Sequence, residues 1–153
     1  MSKILQLVDF ALNDTTKTHN EINFGTIPNF QAQSIASTTG VTVKSATKIL
    51  TAAGIRHAFA GHGNQVLENK RGQIGITRTD FDLIPIILTN FDFVIKGNEG
   101  RKGQQSVVFV KQIDLSEYHV VMGISKISNG LELVFNTMFI KNKKPMFPSA
   151  KSF

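Results

Sequence analysis

The sequence predicts an α+β domain in which N-terminal helices pack on one face of a four-stranded antiparallel sheet. Two observations carry this. Up to Asn90 the apolar residues recur at helical spacing between polar connectors, and after it they fall into extended runs rich in Val, Ile and Phe. Those runs, 92–96, 106–113, 118–127 and 131–141, are separated by Gly97-Asn98-Glu99-Gly100, by residues 114–117 and by Ser128-Asn129-Gly130. Asn-Gly is a strong two-residue hairpin signal, so the four runs read as an antiparallel meander.

The elements follow in order. Ile4, Leu5, Leu7, Val8, Ala11 and Leu12 form one apolar face, which predicts a helix over 3–12. Residues 13–30 are polar, contain Gly25 and Pro28, and read as a connector. A helical turn over 31–38 ends at Gly40, and Val41 to Val43 reads as a short extended piece. Ser45 is the expected N-cap of a helix carrying Ile49 and Leu50, which Gly54 interrupts. A second turn from Ile55 stops at Gly61 and Gly63. Ile74 and Ile76 suggest a short strand. Thr79 is the expected cap of a helix that Asp80 and Asp82 favour through its dipole and that Pro85 limits. These two carboxylates read as capping groups before they read as catalysts.

At 153 residues the chain can bury a core without staples. It has no cysteine, which excludes disulfides, thiolate metal sites and a cysteine nucleophile. No run approaches the ~18–20 apolar residues of a membrane span. Gln6 and Asp9 break the first apolar run, so no secretion signal is expected and the location expected is the cytoplasm. There is no P-loop, GxGxxG or GxSxG pattern, which argues against NTPases, dinucleotide enzymes and the usual hydrolase elbow. The net charge is +6, and residues 101–153 hold eight Lys or Arg against three acidic residues, a net of +5. That asymmetry points to a polyanion, with nucleic acid first, against the plainer reading of a lysine-solubilised tail.

The densest polar cluster is Ile-Arg-His-Ala-Phe-Ala-Gly-His-Gly-Asn at 55–64. On a continuous helix His57 and His62 would stand about 140° apart, so they converge only if the helix ends near Gly61. Three readings stand: a metal pair, one core and one exposed histidine, or an acid–base pair. The first lacks a third histidine nearby and an HExxH pattern, and no metal is expected. Lys70-Arg71-Gly72-Gln73, just before Ile74, can present a guanidinium and backbone amides to a phosphate, or be an ordinary polar loop. Phe91, Phe93, Phe109, Phe135 and Phe139 lie in the predicted strands, with core packing as their default role.

Together these blocks resemble a known family. Ile55-Arg56-His57, His62-Gly63, Arg71-Gly72-Gln73-Ile74-Gly75-Ile76-Thr77, Asp80 to Ile87, Asp92-Phe93-Val94, Tyr118-His119-Val120-Val121 and Thr137-Met138-Phe139 are similar, in order and spacing, to the phage-associated branch of the barnase–EndoU–colicin–RelE-like nucleases. The resemblance covers about 41–141 and divides the chain into an N-terminal helical extension and connector (1–40), a nuclease-like domain (41–141) and a basic tail (142–153). It implies a small metal-independent ribonuclease, without cofactor, of phage or toxin association. Its functional positions match His57, His62, Arg71, Gln73 and Thr137. Phe139 departs from a tyrosine common there, which removes a hydroxyl. The expected partners are RNA and a cognate inhibitor or host protein. The expected RNA contacts are Arg56, Lys70, Arg78, Lys111, Lys141 and Lys143. Two other readings remain at this level: a nuclease scaffold that binds RNA or a host protein without cutting, and a virion component.

Overall fold

The computed structural model describes residues 2–13, 20–100 and 103–142. Helix α1 (Lys3–Asn13) is capped by Ser2, whose Oγ accepts from the Leu5 amide at 3.0 Å, and it buries Leu7, Val8 and Ala11. The expected connector contains a strand instead, β1 (Glu21–Thr26). Ile22 and Phe24 pack against the core, while Glu21, Asn23 and Gly25 are exposed. Helix α2 (Asn29–Thr39) ends at Gly40, whose φ of 76° is the left-handed cap that glycine adopts without strain.

The helix expected after Ser45 is also a strand, β2 (Thr47–Thr51). Ser45 itself has φ 60° and turns the chain into β2. A strand suits these five residues because they are paired on both sides, antiparallel to β1 and parallel to β7 (Gly130–Asn142). Helix α3 (Ala52–His62) follows at once, with Thr51 Oγ1 accepting from the Gly54 amide at 3.0 Å. Gly54 therefore lies inside the helix rather than breaking it. A Cβ there would stand 2.6 Å from the Phe135 carbonyl oxygen, so glycine sets how closely α3 lies on β7.

Helix α4 (Gln65–Lys70) was not expected. The Asn64 side chain starts it by accepting from the amides of Val66 and Leu67. The short strand β3 (Gln73–Ile74) leads to a 3-10 helix (Arg78–Leu83) and α5 (Ile84–Thr89). The cap is Thr77 with Asp80, two residues before the expected pair. Pro85 falls in the first turn of α5, where its missing N–H costs nothing.

The remaining strands are β4 (Phe93–Lys96), β5 (Ser106–Ile113), β6 (Ser116–Ile127) and β7, paired antiparallel in sequence order. The sheet is larger than the four strands expected and is mixed. It has seven strands in the order β1-β2-β7-β6-β5-β4, with β3 pairing with β7 as well. Its inner face and the helices share one core, including Phe81, Phe109, Phe135, Ile35 and Ile55. Leu7, Val8, Ile27 and Ile35 belong to this same core, so residues before 40 are packed into the domain. No described helix is long and apolar enough to cross a membrane.

Asp9 of α1 clasps Arg78, with Nε to Oδ1 at 2.6 Å and Nη2 to Oδ2 at 2.8 Å. The Arg78 hydrogen bonds hold the Asp9 carboxyl below the usual carboxylate range. A lowered folded-state value means this contribution is present above about pH 4 and is lost as pH falls further. Asp9→Asn is therefore expected to flatten the acid limb of stability, read as urea midpoint between pH 5 and 2. An unchanged limb would show that the pair does not contribute.

Candidate active site

The pairing register sets side chains in rows across the outer sheet face, away from the core. One row is Gln73, Lys141, Glu117 and Gln112. The next is Phe139, His119, Val110 and Phe93, and the third is Thr137, Val121, Val108 and Ile95. Thr137 reaches this face only because of a β-bulge. Met122 pairs with Phe135 and Val121 with Thr137, so Asn136 is the extra, unpaired residue. In a regular strand Thr137 would share the inner face with Phe135. The bulge turns both Asn136 and Thr137 outward and returns Met138 and Ile140 to the core.

Over these rows lies a cleft of about 590 Å³, lined by His57, His62, Gln73, His119, Asn136, Thr137, Phe139 and Lys141 among others. Two of its histidines are held by carboxylates. His62 Nδ1 lies 3.2 Å from both oxygens of Glu68, which is fully buried. His119 Nε2 lies 2.7 Å from Glu117 Oε1. Both imidazoles pack on the Phe139 ring. His119 is stacked at 4.6 Å between centroids and 14° between planes, and His62 is tilted at 5.6 Å and 36°. Lys141 Nζ sits 6.0 Å from the same ring centroid. A carboxylate on one ring nitrogen fixes the orientation of the imidazole, which proton transfer requires.

The Thr137 Oγ1 and Gln73 Oε1 atoms are buried and have no hydrogen-bond partner among the described residues. An unpaired buried polar atom costs about 1–3 kcal/mol, so a ligand that satisfies both would recover that cost. Among the described residues, no three His, Asp or Glu side chains are grouped to hold a metal ion.

The structure thus gathers His57, His62, Gln73, Thr137 and Lys141 into one cleft. Arg71 stands apart from its lining. Its Nη1 donates to Glu68 Oε1 at 2.9 Å and to the Gly61 carbonyl at 3.1 Å, so the guanidinium braces the carboxylate behind His62. His57 is exposed and has no carboxylate partner among the described residues. Arg78 is engaged with Asp9. Lys111 pairs in register with Tyr118, a core residue, which puts it on the inner side of β5, 3.6 Å from Asp92. Arg56 is half-buried on α3 and Lys70 is exposed at the end of α4. Lys143 lies outside the described residues.

Sequence reasoning passed over His119, Glu117 and Glu68. The signal for the first two was present in β6, where Glu117, His119 and Val121 alternate with the core residues Tyr118, Val120 and Met122. Glu68 left no such trace, because its role depends on α4 folding back beneath His62.

Neither a curated protein nor a solved structure matches the chain significantly. One family model does, described as phage-Barnase-EndoU-ColicinE5/D-RelE like nuclease3, over residues 25–147. The match begins within β1 and takes in every residue that lines the cleft. The chain belongs to this phage-associated nuclease-like family.

Proposed function

We propose that the protein is an endoribonuclease that cuts RNA through attack by the ribose 2′-hydroxyl on the adjacent phosphorus, with His62 and His119 carrying the protons. The observation that carries this reading is the pair of imidazoles, each on its own carboxylate, facing one cleft across a shared phenylalanine. One imidazole takes the 2′-hydroxyl proton as that oxygen bonds to phosphorus. The other protonates the 5′-oxygen as its bond to phosphorus breaks. The products are a 2′,3′-cyclic phosphate and a 5′-hydroxyl. The nucleophile belongs to the substrate and both proton carriers to the protein, so the scheme needs no divalent ion.

Charge develops on the equatorial phosphoryl oxygens. The Thr137 hydroxyl offers a hydrogen bond there, and Lys141 offers a cation. Donors set before the reaction act strongly in a site that excludes water. His57, on the rim, contacts the flanking phosphate. Glu68, Arg71 and Glu117 hold the reacting rings without touching the substrate.

Purified protein is expected to cut synthetic RNA in EDTA and leave 2′,3′-cyclic phosphate ends. A 2′-deoxy substitution at the cut position should abolish cleavage there. A 3′-hydroxyl product, or a requirement for added magnesium, would overturn the mechanism. Tight RNA binding with no cleavage would replace it with a binding role.

A further inference from the structure

Beside the proton-transfer residues the cleft continues along an apolar strip that the chemistry does not use. Ile95, Val108 and Val121 are direct register partners on three successive strands, and Thr137 is the fourth member of their row. Strands lie about 4.8 Å apart, so the strip runs about 10 Å and begins one strand from the Thr137 hydroxyl. All three aliphatic residues line the same cleft as His62 and His119. Ile95 remains 45% exposed, an uncovered aliphatic surface next to a polar site.

Asn136 borders this strip. It is the extra residue of the bulge, so no partner strand dictates its position. A Cβ on Gly123 would stand 2.8 Å from Asn136 Nδ2 and 3.0 Å from Oδ1, so the amide lies across β6 only because residue 123 is glycine. Asn136 lines the cleft, and no described group hydrogen-bonds its amide, so its donor and acceptor are both unused within the described fold. The far wall is set in advance. Ser106 Oγ donates to the Asn98 carbonyl at 3.0 Å, and the Gly97 amide donates to the Ser106 carbonyl at 2.9 Å.

We infer that this strip is a nucleobase subsite, and that Asn136 reads the edge of the base whose ribose supplies the attacking 2′-hydroxyl. This deepens the ribonuclease reading and rests on it. An apolar floor takes the flat face of a base. A carboxamide in the plane of that base can make two hydrogen bonds to adjacent donor and acceptor atoms. The phosphate joined to the same nucleotide then falls at Thr137, one strand away.

The test is sequencing of the ends produced from random-sequence RNA by the wild type, Asn136→Ala and Asn136→Asp, each first shown to be folded by thermal unfolding. The wild type is expected to favour one base immediately 5′ of the cut. Asn136→Ala should reduce that preference by about 10- to 100-fold, the worth of one bidentate contact. Asn136→Asp should redirect it, because a carboxylate accepts where the amide donated. No preference at that position in the wild type, or one profile shared by all three proteins, would overturn the subsite while leaving the ribonuclease reading intact. No cleavage by the wild type would overturn both.

Discussion

Replacing His62 or His119 with alanine is expected to slow RNA cleavage by about 100- to 10,000-fold, the usual contribution of a general acid or base. RNA affinity should change far less, since phosphate contacts dominate binding. His57→Ala is the comparison. It lies in the same cleft but has no carboxylate to fix its ring among the described residues, so its effect should fall mainly on binding. The rate plotted against pH should be bell-shaped in the wild type, because one imidazole must start neutral and the other charged. Each alanine variant should lose one limb. Glu68→Gln keeps the shape behind His62 but removes the charge, and should lower the rate with little change in affinity. If His57→Ala is the most damaging of the three, the proton carriers have been misassigned. If none alters a measurable rate, histidine acid–base chemistry is not the mechanism.

The parts of this molecule that were legible in the sequence are those whose signal is long and local. Strands β5, β6 and β7 run 8, 12 and 13 residues, with dense Val and Ile and an Asn-Gly turn between the last two. Helix α1 shows a regular apolar face. In contrast, β1 and β2 have 6 and 5 residues and contain Glu21, Asn23, Thr47 and Lys48. They are strands because each lies beside another strand, a tertiary cause that local propensity does not carry. The same division holds in the cleft. His57, His62, Gln73 and Thr137 sit in blocks that the family resemblance marks. Arg71 sits in such a block too, and its guanidinium lies 2.9 Å from Glu68, a contact that its block does not reveal. Arg78 and Lys111 are basic residues whose charge is engaged within the fold, by Asp9 and Asp92. A count of positive charge could not separate them from Lys141, because sequence does not reveal the face a strand residue takes until the register is known.

The two glycines of α3 should respond to alanine with opposite signs. In an exposed helix interior, alanine is better than glycine by about 1 kcal/mol. At Gly61 an added Cβ meets nothing within 4 Å, so Gly61→Ala should stabilise the protein by up to about that amount. At Gly54 the Cβ would meet the Phe135 carbonyl oxygen at 2.6 Å and the Phe135 ring at 3.0 Å. A backbone carbonyl in a paired strand cannot rotate away, so α3 and β7 must separate. Overpacking of this kind costs about 1–3 kcal/mol, enough to outweigh the helix preference. Gly54→Ala should therefore lower the urea midpoint. It should also slow cleavage, because α3 carries His62 while β7 carries Thr137 and Phe139, and the cleft depends on the spacing between them. A stabilised Gly54→Ala protein would mean that α3 does not lie this close to β7 in solution. A destabilised protein with an unaltered rate would mean that the catalytic geometry is not set by that contact.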